Sequence, residues 1–211
     1  SAKYIVNGLT RNRRSIVLGL AGLVMLGAGL PLAWFQWWRP VAPFQVGQIR
    51  KLTSAGNAGQ VALAPDGKDV AYSLVEEGRH SLWLQPVDGG VAQRIVPPEE
   101  GEYVGITFSR DGKYIYYVKR GGVLYRVTRH GTDSKILLPQ VSSPITLSPD
   151  GKQIAFVRRN TSQSILMTAN DEGRELKELV TYNHPKIFRS SGPAWSPDGS
   201  RIVFGSDRDG G

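Results

Sequence analysis

Four aspartates recur along this sequence and are the first residues to consider for chemistry. Asp66, Asp111, Asp150 and Asp198 lie 45, 39 and 48 residues apart, and carboxylates can act as metal ligands or catalytic acids. Each one, however, stands in the same short phrase, which in its commonest form reads Ser-Pro-Asp-Gly. Proline, aspartate and glycine are the residues that a tight turn requires. We therefore expect these aspartates to hold turns, one in each repeat.

The histidines and the basic residues are the next candidates. His80, His130 and His184 lack the mutual spacing of a metal site and fall in or near predicted loops. We interpret the local excess of basic residues as solvated charges of loops and strand edges, with a contribution to a binding face as the alternative. The basic residues concerned are Lys119, Arg120, Arg126, Arg129, Arg158 and Arg159.

Sequence motifs for catalysis are missing. There is no Gly-x-Ser-x-Gly elbow and no glycine-rich phosphate loop, and the absence of cysteine excludes disulfides, thiolate catalysis and cysteine-ligated zinc. We predict that this chain is not an enzyme over the 211 residues given, with no catalytic, cofactor-binding or metal-binding residue. An enzymatic domain elsewhere in a longer parent protein stays open.

The elements that position these residues follow from the repeated phrase. It occurs at residues 61–73, 106–118, 145–157 and 193–205, with β-rich flanks that alternate around the turn. A third strand is predicted at 81–85, 123–127 and 164–168, and an outer strand at 93–96, 135–138 and 176–180. A period of about 40 to 50 residues is typical of propeller blades. The sequence thus predicts an all-β, partial propeller of about 3.5 four-stranded blades over residues 48–211.

Two further expectations follow from this pattern. Residues 50–53 resemble the outer strand of a preceding repeat, and the fourth repeat stops after its second strand. The chain therefore reads as a piece of a longer protein. An incomplete propeller leaves unpaired strand edges, so we expect these residues to be poorly stable alone.

An uncharged, apolar stretch begins at Ser15 and ends at Trp38. As a helix it would be about 36 Å long, enough to cross a hydrocarbon layer of about 30 Å, and tryptophans crowd its far end. A cleaved signal peptide is the main alternative, but the stretch is too long and lacks a small-residue cleavage site. We predict a transmembrane helix at 15–38 that contacts the lipid bilayer, preceded by a juxtamembrane segment at 1–14 and followed by a linker at 39–47.

The distribution of charge predicts the orientation of that helix. Of the formal net charge of +8, residues 1–38 contribute four basic and no acidic groups, three of them being Arg11, Arg13 and Arg14. Basic residues favour the cytoplasmic side, so we place the N-terminus in the cytoplasm and the repeats outside it. The remainder is only mildly basic for its size, which argues against nucleic acid as a partner.

The repeated phrase, Ser-Pro-Asp-Gly-Lys followed by an alternating strand and Leu-Trp, resembles the repeats of TolB-type propellers over about residues 50–211. Repeat two departs from the pattern, with Arg110 in place of proline. The layout of a basic segment, one span and such a propeller is similar to that of acidobacterial membrane receptors. Those receptors carry a serine/threonine kinase or a winged-helix domain before the span.

The resemblance implies a membrane-anchored sensory or scaffolding protein of the bacterial inner membrane, whose periplasmic propeller binds a protein, a peptide or an envelope ligand. Two other classes remain open. One is a fragment of a kinase or a winged-helix transcription regulator, with that domain before Ser1. The other is a fragment of a propeller-containing serine peptidase, with its catalytic domain after Gly211.

Overall fold

The fold is built from β-strands. The computed structural model describes residue 51 and residues 56–189 and 191–207, and these residues form fourteen strands. The strands are β1 (Ala58–Leu63), β2 (Asp69–Glu76), β3 (Arg79–Pro86), β4 (Gln93–Glu99), β5 (Tyr103–Phe108), β6 (Tyr114–Lys119), β7 (Val123–Thr128), β8 (Lys135–Pro139), β9 (Thr146–Leu147), β10 (Gln153–Arg159), β11 (Gln163–Asn170), β12 (Lys177–Asn183), β13 (Ala194–Trp195) and β14 (Ile202–Val203).

The predicted membrane segments are not part of this description. The juxtamembrane segment 1–14, the transmembrane helix 15–38 and the linker 39–47 all lie outside the described residues, as do residues 50, 52 and 53 of the predicted preceding strand. Within the described ranges, no helix has the length and apolar character needed to cross a membrane.

The strands form successive antiparallel sheets in simple sequential order. Strands β1–β4 make blade 1, β5–β8 make blade 2 and β9–β12 make blade 3, while β13 and β14 pair as the first two strands of blade 4. Each predicted third and outer strand coincides with an observed one. The prediction of an all-β fold with about three and a half four-stranded blades is confirmed.

The blades bury their faces against one another. Leu82 and Leu84 of blade 1 belong to the same core cluster as Phe108, Ile115 and Tyr117 of blade 2. Because the middle strands of a blade are covered on both faces, their side chains are buried without alternation, and β6 is buried from its second residue to its last.

The same packing continues to blades 3 and 4. Val118 and Leu124 of blade 2 share a cluster with Ile154 and Phe156 of blade 3. A third cluster on the far face of blade 3 centres on Phe188, which is fully buried. The core of the molecule is therefore a series of layers between blades.

The aspartate turns have the geometry that their sequence predicts. In repeat two the amide of Gly112 donates to the carbonyl of Ser109 at 3.0 Å, and Gly112 has a φ of 70°, in the left-handed region. The Asp111 carboxylate accepts hydrogen bonds from Ser109 Oγ at 2.6 Å and from the amide of Lys113 at 3.1 Å. Serine, aspartate and glycine thus each close part of the turn.

These turns also join neighbouring blades. A Cβ on Gly151 would lie 3.1 Å from Cβ of Arg110 in the preceding repeat, and one on Gly199 would lie 3.5 Å from Cδ of Pro149. The residue before the turn aspartate of one repeat therefore contacts the turn glycine of the next repeat. Arg110, the residue that departs from the pattern, keeps this position and donates from Nε to the carbonyl of Ser148 at 3.3 Å.

Candidate binding site

The two ends of the stacked blades carry different structures. Because neighbouring strands run antiparallel, the connections alternate between the ends. The turn end carries the four aspartate turns and the connections to each outer strand. The connector end carries the hairpins at residues 77–78, 120–122 and 160–162, together with the connections between blades at 100–102, 140–145 and from 184 towards β13. A ligand has access to these ends, since the faces between blades are packed.

The structure places the four candidate aspartates at the turn end, one per blade, where each accepts hydrogen bonds within its own turn. The bond from Ser109 Oγ is the main cause that lowers the pKa of Asp111, and the bond from Ser196 Oγ is the main cause that lowers the pKa of Asp198 to about 2. Groups so acidic are poor proton donors near neutral pH. Among the described residues, no cluster of His, Asp and Glu is arranged to hold a metal ion.

Asp66 has a different partner because repeat one has Ala64 in place of serine. Arg129 of blade 2 reaches across to blade 1, and its Nη1 lies 3.1 Å from Asp66 Oδ2. Its Nε also donates to Asp69 Oδ2 at 3.0 Å. The amide of Lys68 and then the Arg129 guanidinium lower the pKa of Asp66. This ion-pair network joins two blades.

The structure does not bring the three histidines together. His80 lies in β3 near the connector end, 6.5 Å from the ring of Tyr103. His130 lies at the turn end, where its carbonyl accepts a hydrogen bond from Gln93. His184 follows β12, and its amide donates to the carbonyl of Ser162. They belong to three different repeats.

The six basic candidates are also separated, and the prediction that all are solvated is wrong for two of them. Arg126 is 8% exposed and lies 4.4 Å from the centre of the Tyr114 ring. Lys119 is 7% exposed. The sequence pattern missed this burial because a basic residue on an inner strand faces a neighbouring blade, and alternation alone does not show what lies opposite.

Lys119 forms a bridge between blades 1 and 2 at the connector end. Its Nζ lies 2.6 Å from Glu99 Oε1 and 5.7 Å from the centre of the Tyr103 ring. Burial raises the pKa of Tyr103, whose hydroxyl has no hydrogen-bond partner, and raises that of Tyr117 to about 12. Both phenols therefore stay neutral at physiological pH.

Arg158 and Arg159 end strand β10 at the same end. Their Nε atoms are buried and have no hydrogen-bond partner. Arg159 still donates from Nη2 to the carbonyl of Phe188. No hydrogen bond or ion pair joins the Arg158 side chain to another described residue, and its guanidinium lies 5.9 Å from the Phe156 ring centre. A half-buried cation with no counter-charge among the described residues is poorly satisfied, because burial removes part of its solvation.

A cavity of about 690 Å³ lies at the turn end between blade 3 and Trp195 of β13. Its lining includes Lys152, Lys177 and Leu179. Trp195 stands three residues before its turn aspartate. The residues at the same position of blades 2 and 3, Phe108 and Leu147, are buried. The cavity therefore belongs to the surface on which blades pack.

These blades and their connections define a β-propeller, and comparison with known proteins shows which propellers the chain resembles. No protein-family model matches it. Over 54 residues the chain is 44% identical to the Tol-Pal system protein TolB of Nitrosomonas europaea. This match covers 26% of the present chain and 12% of that TolB.

Solved structures give a longer match. A protein assigned as TolB from Agrobacterium tumefaciens superposes with a TM-score of 0.61 and 20% identity, covering 75% of this chain and 62% of that one. TolB from Acinetobacter baumannii gives 0.58 and 20%, covering 70% and 37%. The chain thus spans less than two thirds of the length of these relatives. The described residues have a TolB-like propeller fold.

Proposed function

We propose that this chain is part of a membrane-anchored protein whose TolB-like propeller lies outside the cytoplasm and binds a protein or peptide ligand, in a sensory or scaffolding role. The TolB-like fold is the observation that carries the proposal. Residues 1–211 take no catalytic part in it. Residues 15–38 anchor the protein in the inner membrane, with the N-terminus in the cytoplasm and the propeller in the periplasm.

The connector end is the proposed binding surface. The faces between blades are occupied by the core, which leaves the ends for ligands. At the turn end the aspartates are engaged in their turns, and Arg129 is engaged with Asp66 and Asp69. At the connector end the Arg158 side chain has no such partner among the residues that the structure describes, and the connections between blades supply a long irregular edge.

The topology is tested by reporter fusions after Gly211. A reporter that is active only outside the cytoplasm should give a signal, and its cytoplasmic counterpart should not. The matched control deletes residues 15–38, which should reverse the two signals. Activity of the cytoplasmic reporter on the intact chain would refute the extracytoplasmic propeller.

Ligand binding is tested in cells by placing a photoreactive amino acid at each end. Arg120 at the connector end and Arg174 at the turn end are matched positions, with side chains 74% and 72% exposed, and each is paired with one glutamate. We expect a protein adduct from position 120 and none from position 174. Equal labelling at both positions, or none at position 120, would contradict binding at the connector end.

A further inference from the structure

Two cations occupy the same place in successive repeats. Lys119 and Arg158 each stand eight residues after the turn aspartate, Asp111 and Asp150 respectively. Each is at or next to the end of the second strand of its blade and follows the residues that pack on the preceding blade. The two side chains should therefore meet equivalent parts of the preceding blade.

The preceding blade offers Lys119 a carboxylate. In blade 1, Leu82 pairs with Val96, and His80 pairs with Glu99 at the end of β4. Glu99 is placed by this register beside the second strand of blade 2, and its Oε1 lies 2.6 Å from Lys119 Nζ. A charge-assisted contact of this length is a built ion pair.

The preceding blade offers Arg158 no such group. In blade 2, Leu124 pairs with Leu138 as Leu82 pairs with Val96 in blade 1. Gly122 stands two residues before Leu124, as His80 stands two residues before Leu82. The amide of Val141 donates to the carbonyl of Gly122 at 2.9 Å, and the Cα of Gln140 would lie 3.6 Å from a Cβ on that glycine. The two residues that face Gly122, Gln140 and Val141, are both uncharged, whereas repeat one has Glu99 opposite His80. Gln140 is exposed, as Glu99 is.

The guanidinium of Arg158 has the properties of an open anion site. Its Nε is buried without a partner, while the side chain as a whole is partly exposed, so a ligand can reach it from the connector end. Partial burial strengthens a contact between opposite charges because solvent screens it less. The planar fork of arginine matches the two oxygens of a carboxylate.

We propose that Arg158 binds a carboxylate of an acidic peptide segment, which takes the place beside this cation that Glu99 holds beside Lys119. The proposal rests on the proposed function, since it names the chemistry of the protein or peptide ligand. A carboxylate gains a charge-assisted hydrogen bond from the Arg158 guanidinium that a neutral group of the same shape lacks. Acidic segments are therefore selected over neutral ones of the same shape.

The first experiment uses the full chain in detergent micelles and follows the Nε–Hε resonance of Arg158 by NMR. Its buried Nε should exchange slowly enough to observe, and loss of the signal in Arg158→Lys assigns it. The probes are acetyl-Gly-Glu-Gly-amide and its glutamine analogue. We expect a saturable shift with the glutamate peptide alone, and Arg158→Lys should weaken binding, measured by calorimetry, about fivefold.

Two outcomes would overturn the proposal. One is the absence of a saturable shift with the glutamate peptide. The other is an equal shift with the glutamine peptide, or with inorganic phosphate at matched ionic strength. Because the probe is a short peptide, this result is independent of the crosslinking test. An adduct at position 120 together with no shift at Arg158 would leave the proposed function standing and would reject the carboxylate site.

The second experiment fills the site from within the chain. Gln140→Glu places a carboxylate on the uncharged pair of residues that faces Gly122, and the introduced group should pair with Arg158. We expect it to weaken binding of the glutamate peptide about tenfold and to raise the melting temperature of the chain. The control Gln153→Glu changes the same residue type at the other end of β10 and should leave affinity unchanged. Unchanged affinity in Gln140→Glu would reject the site.

Discussion

Arg129→Gln is the most direct test of how the blades are joined. The Arg129 guanidinium of blade 2 contacts two aspartates of blade 1, with Nη1 3.1 Å from Asp66 Oδ2 and Nε 3.0 Å from Asp69 Oδ2. Glutamine removes the charge and most of the donors while keeping much of the chain length. The substitution therefore probes the ion pairs more than the packing.

The expected magnitude follows from the exposure of the partners. The side chains of Arg129 and Asp69 are 16% and 18% exposed, so their pair lies between a surface ion pair and a buried one. Surface pairs contribute up to about 1 kcal/mol, whereas removing one partner of a buried pair costs about 3–5 kcal/mol. We expect Arg129→Gln to lower the free energy of unfolding by about 2 kcal/mol.

The assay is urea unfolding of the full chain in detergent micelles, carried out as a double-mutant cycle with Asp69→Asn. Since Asp69→Asn removes the charge that Arg129→Gln leaves unpaired, the double variant should lose about 1 kcal/mol less than the sum of the single variants. Arg174→Gln is the matched control. Its pair with Glu172 is exposed, and its loss should cost less than about 0.5 kcal/mol.

A cycle with no coupling, or equal losses for Arg129→Gln and Arg174→Gln, would refute the reasoning. It would mean that the contacts between Arg129 and its aspartates do not hold the blades together. The stability of the interface would then come from the apolar layer between blades 1 and 2 alone.

Three further predictions concern the turns. The Asp198 pKa lies at about 2, below the ordinary value of 3.8. The stabilising effect of the ionised carboxylate is therefore fully present above pH 3.8 and is lost as the pH falls towards 2. Acid unfolding of Asp198→Asn should depend less on pH over that window than acid unfolding of the parent protein. Gly173→Ala places a Cβ 2.7 Å from the carbonyl oxygen of Leu137, and the free energy of unfolding in urea should fall by about 2–3 kcal/mol. In the control Gly78→Ala, where the glycine has a similar φ but open space around it, the free energy of unfolding should fall by only about 1 kcal/mol. Equal losses would show that the contact between blades does not matter. Ser109→Ala removes a donor to the turn aspartate and an acceptor for the amide of Tyr114. It should lower the free energy of unfolding by about 1–2 kcal/mol in the same assay. A neutral result would be evidence against the role of the serine.

The local structure of each repeat was predictable from the sequence. The phrase around Asp111 contains the residues that a turn with a left-handed glycine requires, and the flanking alternation marks two strands. Its recurrence predicted the number of blades, and the third and outer strands followed from short β-rich runs between glycine-containing turns. All of these signals involve residues close together in the chain, where turn chemistry and strand propensity decide the conformation.

The environment of the basic residues could not be predicted in the same way. Lys119, Arg126 and Arg158 look alike in the sequence, as cations on or near strand ends. In the structure the first is paired with Glu99, the second lies on the Tyr114 ring and the third has no counter-charge within the described part of the chain. The offset of eight residues from the turn aspartate did contain a usable signal, because it shows that Lys119 and Arg158 are equivalent.

The sequence by itself determined the turns, the strands and the order of the blades, because these depend on interactions within a single repeat. Only the tertiary structure decided which charges are paired. Arg129 meets Asp69 across 60 residues, and Lys119 meets Glu99 from the preceding blade. The physical reason is that a propeller buries its sheets against one another, so the partner of a side chain lies on a neighbouring repeat and depends on the register between two blades. The open position beside Arg158 becomes visible only when that register is known.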